Sequence, residues 1–460
     1  MKNHYKIIFV LRSYGHLYLI RSAIREAADA GHAVLVLFHK ELTDETLEDA
    51  ERFEGRHPNI SYGWMKSSLR AGTVVFHARE VLSYRKHLLK STNSQFYAER
   101  WKKYLHSKLQ KLFNWSWAGL LLKTGPAGFL LRLIEKVTPP QANVLEHLKE
   151  LKLDVLIATP VNKRYSSMEL EYLKAAKSLG TPSIISITSW DPITAKGVFH
   201  IKPDRLLVWN DIQVEEAIWH QDIPREKIGV VGSSSFDKWF VPNKPTPRAE
   251  FLAKQGLNPN YPVLAYLCSS GVIAGDEAWL IRELRQVLDS SKDERIRNIQ
   301  IAIRPYPTNY EICRNLDLKH TAVIPKEGPI ENPVLNQQYL YDTIYHSLAF
   351  VGINTTSMLD AIAIGKPVIA LFTKQYEQMQ LGTFHFQALY KEDALDLVDI
   401  ENKKEEFYKL LVKFLEEKDE RKGKRTEFIK RYIRPRGLEV SAGRAILEEM
   451  EKLIQAKHAV

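Results

Sequence analysis

The sequence predicts an α/β protein of two doubly wound parallel-sheet domains, the first carrying a basic helical insert. Three observations predict it: strand-like apolar runs alternate with helical stretches, the alternation starts twice, and a Pro- and Asn-rich segment separates the two series. The length agrees with this. At ~100–200 residues per domain, 460 residues correspond to about two to four domains, each able to bury a core. With 45% hydrophobic and 26% charged residues, and 22 Gly and 21 Pro spread thinly, disorder, collagen and coiled coil are excluded.

The first series opens with an apolar run at 6–11, a helix over 17–30 and a second run at 33–38, with Gly31-His32 between helix and strand. An apolar run, a helix and another apolar run form a parallel βαβ unit. The series resumes with runs at 154–159, 183–187, 205–209 and 228–231 and a helix over 167–179. Residues 240–261, which include Val241-Pro242-Asn243-Lys244-Pro245-Thr246-Pro247 and Asn258-Pro259-Asn260, read as a linker. Beyond it come runs at 263–267, 299–303, 348–353 and 367–371, with helices over 276–288, near 336–347 and over 357–364. The tail, 401–456, is helical and charge-alternating, broken at Arg434-Pro435-Arg436-Gly437. The expected domains are therefore 1–240 and 241–425, with helices over 426–460 packing back on the first. Two open sheets of this kind are expected to face each other across a cleft at their carboxyl edges, where ligands of such sheets bind.

The net charge of +10 is concentrated. Residues 79–136 hold 12 Lys/Arg against Glu80, Glu99 and Glu135, a net of +9, so the rest of the chain nets +1. The same stretch carries Trp101, Phe113, Trp115, Trp117, Phe129 and the clusters Leu120-Leu121-Leu122 and Phe129-Leu130-Leu131. It reads either as a helical subdomain with its own core and a solvated basic face, or as a peripheral contact with an anionic membrane surface. Its aromatics cluster with Leu instead of standing singly between cations, so no nucleic acid is expected as a partner. Cys268 and Cys313 are the only cysteines, which excludes a disulfide framework and any Cys-based metal site and fits a reducing compartment. The opening residues, Met1-Lys2-Asn3-His4-Tyr5-Lys6, run into a strand without a leader pattern, and no apolar stretch nears the ~18–20 residues of a span. The expected location is cytoplasmic, with attachment to the inner membrane face left open.

Three loops of the second series end in groups suited to an anion. Cys268-Ser269-Ser270-Gly271 offers small residues and backbone N–H groups, or is a plain βα turn. Asn354-Thr355-Thr356-Ser357 brings hydroxyls and uncapped N–H groups to a helix start, suited to a diphosphate or to ordinary capping, with Asp360 one turn in. Arg304, in Arg304-Pro305-Tyr306-Pro307, is placed to pair with a phosphate or carboxylate, or with a surface acid. In the first series Arg12-Ser13-Tyr14-Gly15-His16 follows the first strand and lacks the Gly-x-Gly-x-x-Gly spacing of a dinucleotide site. His16 is one candidate base, since an ordinary histidine titrates near 6.5, or it is a cap. Asp191 is the second, in Ser189-Trp190-Asp191-Pro192-Ile193-Thr194-Ala195-Lys196-Gly197, where Trp190 can stack on a sugar; the alternative is an Asp-Pro turn.

The two-half architecture, Gly15-His16 and above all Gly352 to Pro367 resemble glycosyltransferases of the GT-B type, with two Rossmann-like domains, and more loosely the UDP-N-acetylglucosamine 2-epimerases that share that fold. Ser189 to Gly197, Pro203-Asp204 to Gln213, Ile223-Pro224 to Gly232, Phe236-Asp237 and Arg304-Pro305 resemble motifs of bacterial surface-polysaccharide and teichoic-acid-type transferases. The resemblance implies a nucleotide-sugar donor held by the second domain through Ser269, Ser270, Gly271, Arg304, Asn354, Thr355, Thr356, Ser357 and Asp360. It also implies a cell-surface glycan or lipid-linked acceptor held by the first through Arg12, Tyr14, Trp190, Thr194 and Lys196. Asp191 or His16 would be the base, with no metal and no cofactor beyond the donor, in keeping with the absence of an Asp-x-Asp motif. Tyr306 stands where such families often have His, and Asp360 where many retaining enzymes have Glu, which leans toward inversion. The alternatives are a sugar-nucleotide 2-epimerase, a phosphate-ester transferase such as a glycerophosphotransferase, and a non-catalytic nucleotide-sugar-binding scaffold at the membrane.

Overall fold

The computed structural model describes residues 4–40, 46–90, 95–159, 161–162, 168–271, 273–306, 310–330 and 332–458. Ser167, expected to begin a helix, and Pro307, in the Arg304 loop, lie outside the described residues, as do Met1 to Asn3. The apolar runs form two all-parallel sheets. The first holds Lys6–Leu11 (β1), Ala33–Phe38 (β2), Ile60–Trp64 (β3), Val155–Thr159 (β4), Ser183–Ser186 (β5), Arg205–Val208 (β6) and Ile228–Val230 (β7), in the order β3-β2-β1-β4-β5-β6-β7. The second holds Val263–Leu267 (β8), Gln300–Arg304 (β9), Thr321–Val323 (β10), Ala349–Gly352 (β11), Val368–Phe372 (β12) and Asp396–Asp399 (β13), in the order β10-β9-β8-β11-β12-β13. Both are doubly wound α/β sheets, and the central strands are buried on both faces, which is why they read as unbroken apolar runs.

The chain divides into two compact units, residues 1–238 with 430–460, and 239–429. The last helix, Ala442–His458, belongs to the first unit. Its Ala445, Ile446, Met450 and Ile454 complete a core that also contains Phe9, Ile20, Ala23 and Val36. It lies so close to the helix Leu17–Asp29 that a Cβ at Gly443 would come within 2.5 Å of the Ser22 carbonyl carbon, so only glycine fits there. Asp237 holds the start of this helix, accepting from the Ala442 and Gly443 amides at 3.0 and 2.9 Å while pairing with Arg434 at 3.0 Å.

The described residues between 74 and 137 form five helices, Val74–Lys90, Gln95–Tyr104, Ser107–Leu112, Ser116–Lys123 and Gly125–Val137. Their inner faces share a core of Val81, Tyr84, Trp101, Leu105 and Leu122. Behind it lies a buried ion network. Arg79 donates to Glu135 at 2.6 and 3.0 Å and to Glu171 at 3.1 Å, and Lys174 donates to Glu135 at 2.6 Å. Burial alone raises the Glu135 carboxyl, but Arg79 and Lys174 outweigh it and hold it at about 2, below the ordinary 4.5. A depressed carboxyl contributes stability that is complete above the ordinary value and is lost as pH falls toward the native one. Helices 74–137 are therefore expected to loosen between about pH 5 and 2, ahead of the sheets. Near-ultraviolet circular dichroism checks this: in Glu135→Gln the acid transition disappears, and a wild-type signal that stays flat down to pH 2 contradicts the assignment.

Candidate active site

In the second sheet the chain order reverses between β8 and β11, so the loops after these two strands leave in opposite directions and open a crevice at the carboxyl edge. The loops approach closely there. A Cβ on Gly352 would stand 2.9 Å from the Leu267 carbonyl oxygen. Ser269 is buried and already engaged: its amide donates to Glu277 Oε1 at 2.6 Å, and its Oγ accepts from the Asn354 amide at 3.3 Å. Glu277 also accepts from the Tyr266 hydroxyl at 2.7 Å, and burial pushes its carboxyl up to about 7.

What the crevice offers a ligand comes from the next residues along each loop. The amides of Ser270, Gly271, Thr355, Thr356 and Ser357 donate to nothing among the described residues, and the four side-chain hydroxyls of that set have no partner either. All five residues are half-buried or exposed. The helix Ser357–Ala363 is only seven residues long, and Thr356 makes no side-chain cap. What the crevice presents is therefore a set of local N–H and O–H donors more than a helix dipole.

Arg304 ends β9, next to β8. Its Nη2 donates to the Asn336 carbonyl at 3.1 Å and to the Asn336 side-chain oxygen, while Nη1 is buried with no partner among the described residues. Burial pulls the guanidinium down to about 10, with the Asp360 carboxylate opposing. Asp360 itself is buried and accepts from Trp239 Nε1 at 2.7 Å, so it faces inward. Asn354 is buried too. Its Nδ2 reaches the Met379 carbonyl at 2.5 Å, Thr383 Oγ1 at 3.3 Å and His385 Nε2 at 3.4 Å, leaving Oδ1 buried without a partner among the described residues. Gln380 Nε2 bonds the carbonyls of Ile353 and Leu371, both at 2.9 Å. The segment 377–385 is thereby tied to the crevice. Sequence reasoning missed Glu277, Asn336, Gln380, Thr383 and His385. For Gln380, Thr383 and His385 the available signal was the polar stretch after β12, a fourth loop on the same carboxyl edge.

In the first sheet the order reverses between β1 and β4. Arg12 and His16, half-buried, follow β1, and His16 Nδ1 shares a 2.9 Å hydrogen bond with Ser13 Oγ. Tyr14 is drawn into the core, its hydroxyl donating to the Asp49 carbonyl at 3.4 Å and accepting from Tyr18 at 3.0 Å. Asp191 lies in the loop after β5, two strands from β1, or about 10 Å by strand spacing. It accepts from Ser189 Oγ at 2.9 Å and pairs with Lys196 at 2.9 Å. Trp190 and Thr194 are buried, with Thr194 Oγ1 turned to the Asp191 carbonyl at 3.4 Å.

Helices Val74–Lys90, Gln95–Tyr104 and Asp211–Gln221 hold this loop. Lys86 Nζ donates to the carbonyls of Ile193 and Lys196 at 2.8 Å each, Trp101 Nε1 to Ala195 at 3.0 Å, and Gln221 Nε2 to Ile193 at 2.8 Å. Of the residues expected around an acceptor, Arg12, His16, Asp191 and Lys196 retain exposed surface, whereas Tyr14, Trp190 and Thr194 do not. Glu216, which sequence reasoning missed, is half-buried, and burial, reinforced by Asp191, pushes its carboxyl up to about 8. Nothing in its polar helix, Asp211–Gln221, marked it in advance. Among the described residues no group of three or more His, Cys, Asp or Glu is arranged to hold a metal ion.

The two sheets, each reversing at its first strand, define the fold as a GT-B-like pair of Rossmann-like domains. Solved structures of that fold are similar over nearly the whole chain. A UDP-GlcNAc 2-epimerase from Neisseria meningitidis, bound to UDP-GlcNAc, aligns over 97% of this chain and 100% of its own with a TM-score of 0.53 and 12% identity. A glycosyltransferase from Rickettsia africae covers 98% and 99% with a TM-score of 0.55 and 12% identity. The S. aureus MnaA structure with UDP covers 98% and 97% with a TM-score of 0.55 and 10% identity. No protein-family model matches the chain, and no curated protein matches it by sequence.

Proposed function

We propose that this chain is an enzyme of nucleotide-sugar chemistry that transfers a glycosyl group from a nucleoside diphosphate sugar to an acceptor hydroxyl. One observation carries the reading: five amides with their hydroxyls, without partners among the described residues, line the switch-point crevice of the second sheet, beside an arginine whose buried Nη1 has no partner among them either. Neutral N–H donors and a guanidinium suit a diphosphate, and they stabilise the charge that grows on it as it leaves. Two proteins of the same fold were solved with UDP or UDP-GlcNAc, which supports a uridine nucleotide as the first probe.

In this reading a base of the first unit, Asp191 or His16, takes the acceptor's proton, and inversion follows from a single displacement. The acceptor is a cell-surface or lipid-linked glycan met at the cytoplasmic face of a membrane. The second reading, 2-epimerisation, is supported by the several 2-epimerases of this fold. Full-length protein mixed with UDP-GlcNAc alone separates the two. A transferase slowly releases UDP with no C2 epimer, and the release stops in Asp191→Asn or His16→Ala while donor binding is kept. Accumulation of the epimer without acceptor would overturn the transferase reading, and binding with neither reaction would point to the scaffold alternative.

A further inference from the structure

The insert has two faces, and only the inner one is accounted for by its core. On helix Ser116–Lys123, Ala118 and Leu122 are buried, whereas Trp117, Leu120 and Leu121 point outward with Trp115 just before them. On helix Gly125–Val137, Phe129, Leu130, Leu133 and Val137 fall within a ~100° arc, and all are exposed. The exposures are large: 61% for Trp115, 55% for Trp117 and 67% for Phe129. Scattered exposed leucines need no explanation, but exposed apolar residues gathered on two consecutive helices, with the Trp115 and Trp117 rings 5.8 Å apart, do.

The patch is rigidly mounted. Arg85 donates to the carbonyls of Leu122, Lys123 and Thr124 at 2.8, 3.2 and 3.0 Å, pinning the turn between the two helices. A Cβ on Gly128 would stand 2.7 Å from the Arg85 guanidinium carbon, so the second helix is pressed against that clamp.

Its charge selects the occupant. Between residues 107 and 137 the cations are Lys108, Lys111, Lys123, Arg132 and Lys136, and all are exposed. Arg132 lies 3.5 Å from Asp222. The single acid in that stretch, Glu135, is buried and neutralised by Arg79 and Lys174. A second copy of the chain meeting this face symmetrically would bring like charges together. A bilayer with anionic lipids satisfies both components, taking the apolar side chains at the acyl boundary and the lysines at the phosphates. No helix of the described residues is long and apolar enough to cross a membrane, so the contact lies in the interface plane.

We propose that helices Ser116–Lys123 and Gly125–Val137 form a docking face for an anionic membrane surface, with Trp115, Trp117 and Phe129 inserted among the headgroups. The inference does not depend on the reaction catalysed. It locates the protein where a lipid-linked or membrane-attached substrate is presented.

Vesicle flotation with the full chain tests it. Vesicles of phosphatidylcholine with roughly one-third phosphatidylglycerol should carry the protein upward, and pure phosphatidylcholine should not. Raising NaCl from about 0.1 to 0.5 M should weaken the association. Trp117→Ser with Phe129→Ser should reduce partitioning at least roughly tenfold with an unchanged melting temperature, and Lys111→Glu with Lys123→Glu should do the same. Three results would overturn the proposal: no association with the anionic vesicles, equal association with both compositions, or a dimer in solution that Trp117→Ser dissociates.

Discussion

Arg304→Met is expected to weaken binding of a nucleoside diphosphate by roughly 30- to 150-fold while leaving the much weaker binding of the free nucleoside unchanged. Loss of a charge-assisted hydrogen bond to a phosphate costs about 2–3 kcal/mol, and that range converts to these factors. Arg304→Lys should rescue little. The guanidinium divides its work, Nη2 being held by Asn336 with Nη1 buried and without a partner among the described residues, and an ammonium cannot reproduce a fork of fixed geometry. Isothermal titration with UDP and with uridine measures both terms. Equal losses for the two ligands would mean that Arg304 supports the fold and does not contact phosphate.

The second large effect concerns stability. Asp237→Ala should destabilise the first unit by about 3–5 kcal/mol, the range for removing one partner of a buried ion pair. Three donors lose their acceptor together: the Ala442 and Gly443 amides, and the Arg434 guanidinium, which is itself buried. The helix Ala442–His458 supplies part of the first core, so its loosening exposes Ile446, Met450 and Ile454. Hydrogen exchange should rise across 442–458 with little change in strands β8 to β12 of the other unit. A urea midpoint within error of the wild type would refute the role given to Asp237.

The strands that could be read from the sequence are those whose burial leaves a mark. β1, β4, β8 and β11 are covered on both faces and appear as apolar runs. β3, β10 and β13 could not be read, and all three stand at sheet edges with mostly half-buried residues: Ile60–Trp64 contains Ser61 and Gly63, and Asp396–Asp399 begins and ends on Asp. An edge strand is paired on one side and partly solvated, so its composition resembles that of a loop.

The candidate site divides in the same way. Thr355, Thr356 and Ser357 could be placed because a turn between a predicted strand and a predicted helix has few geometries. Which groups are already engaged could not be read, because that depends on side chains distant in sequence. Glu277 takes the Ser269 backbone amide, Trp239 takes Asp360, and the 379–385 segment takes the Asn354 side-chain amide. The first unit shows the opposite displacement. Trp190 and Thr194 look like ligand contacts in a loop that sets Asp191 and Lys196 five residues apart, yet Lys86 and Trp101 hold that loop's carbonyls and both side chains are buried.

The crevice between β8 and β11 is the claim on which the functional reading rests, and a crystal structure with a bound diphosphate addresses it directly. UDP, GDP, CDP and dTDP would first be ranked by thermal shift, where a ligand at 100 times its Kd stabilises by about 2.7 kcal/mol, and the best would be co-crystallised. The account predicts phosphate oxygens within hydrogen-bond distance of the Thr355, Thr356 and Ser357 amides, with Arg304 Nη1 turned toward them. A diphosphate bound elsewhere, or no stabilisation by any of the four, would contradict it.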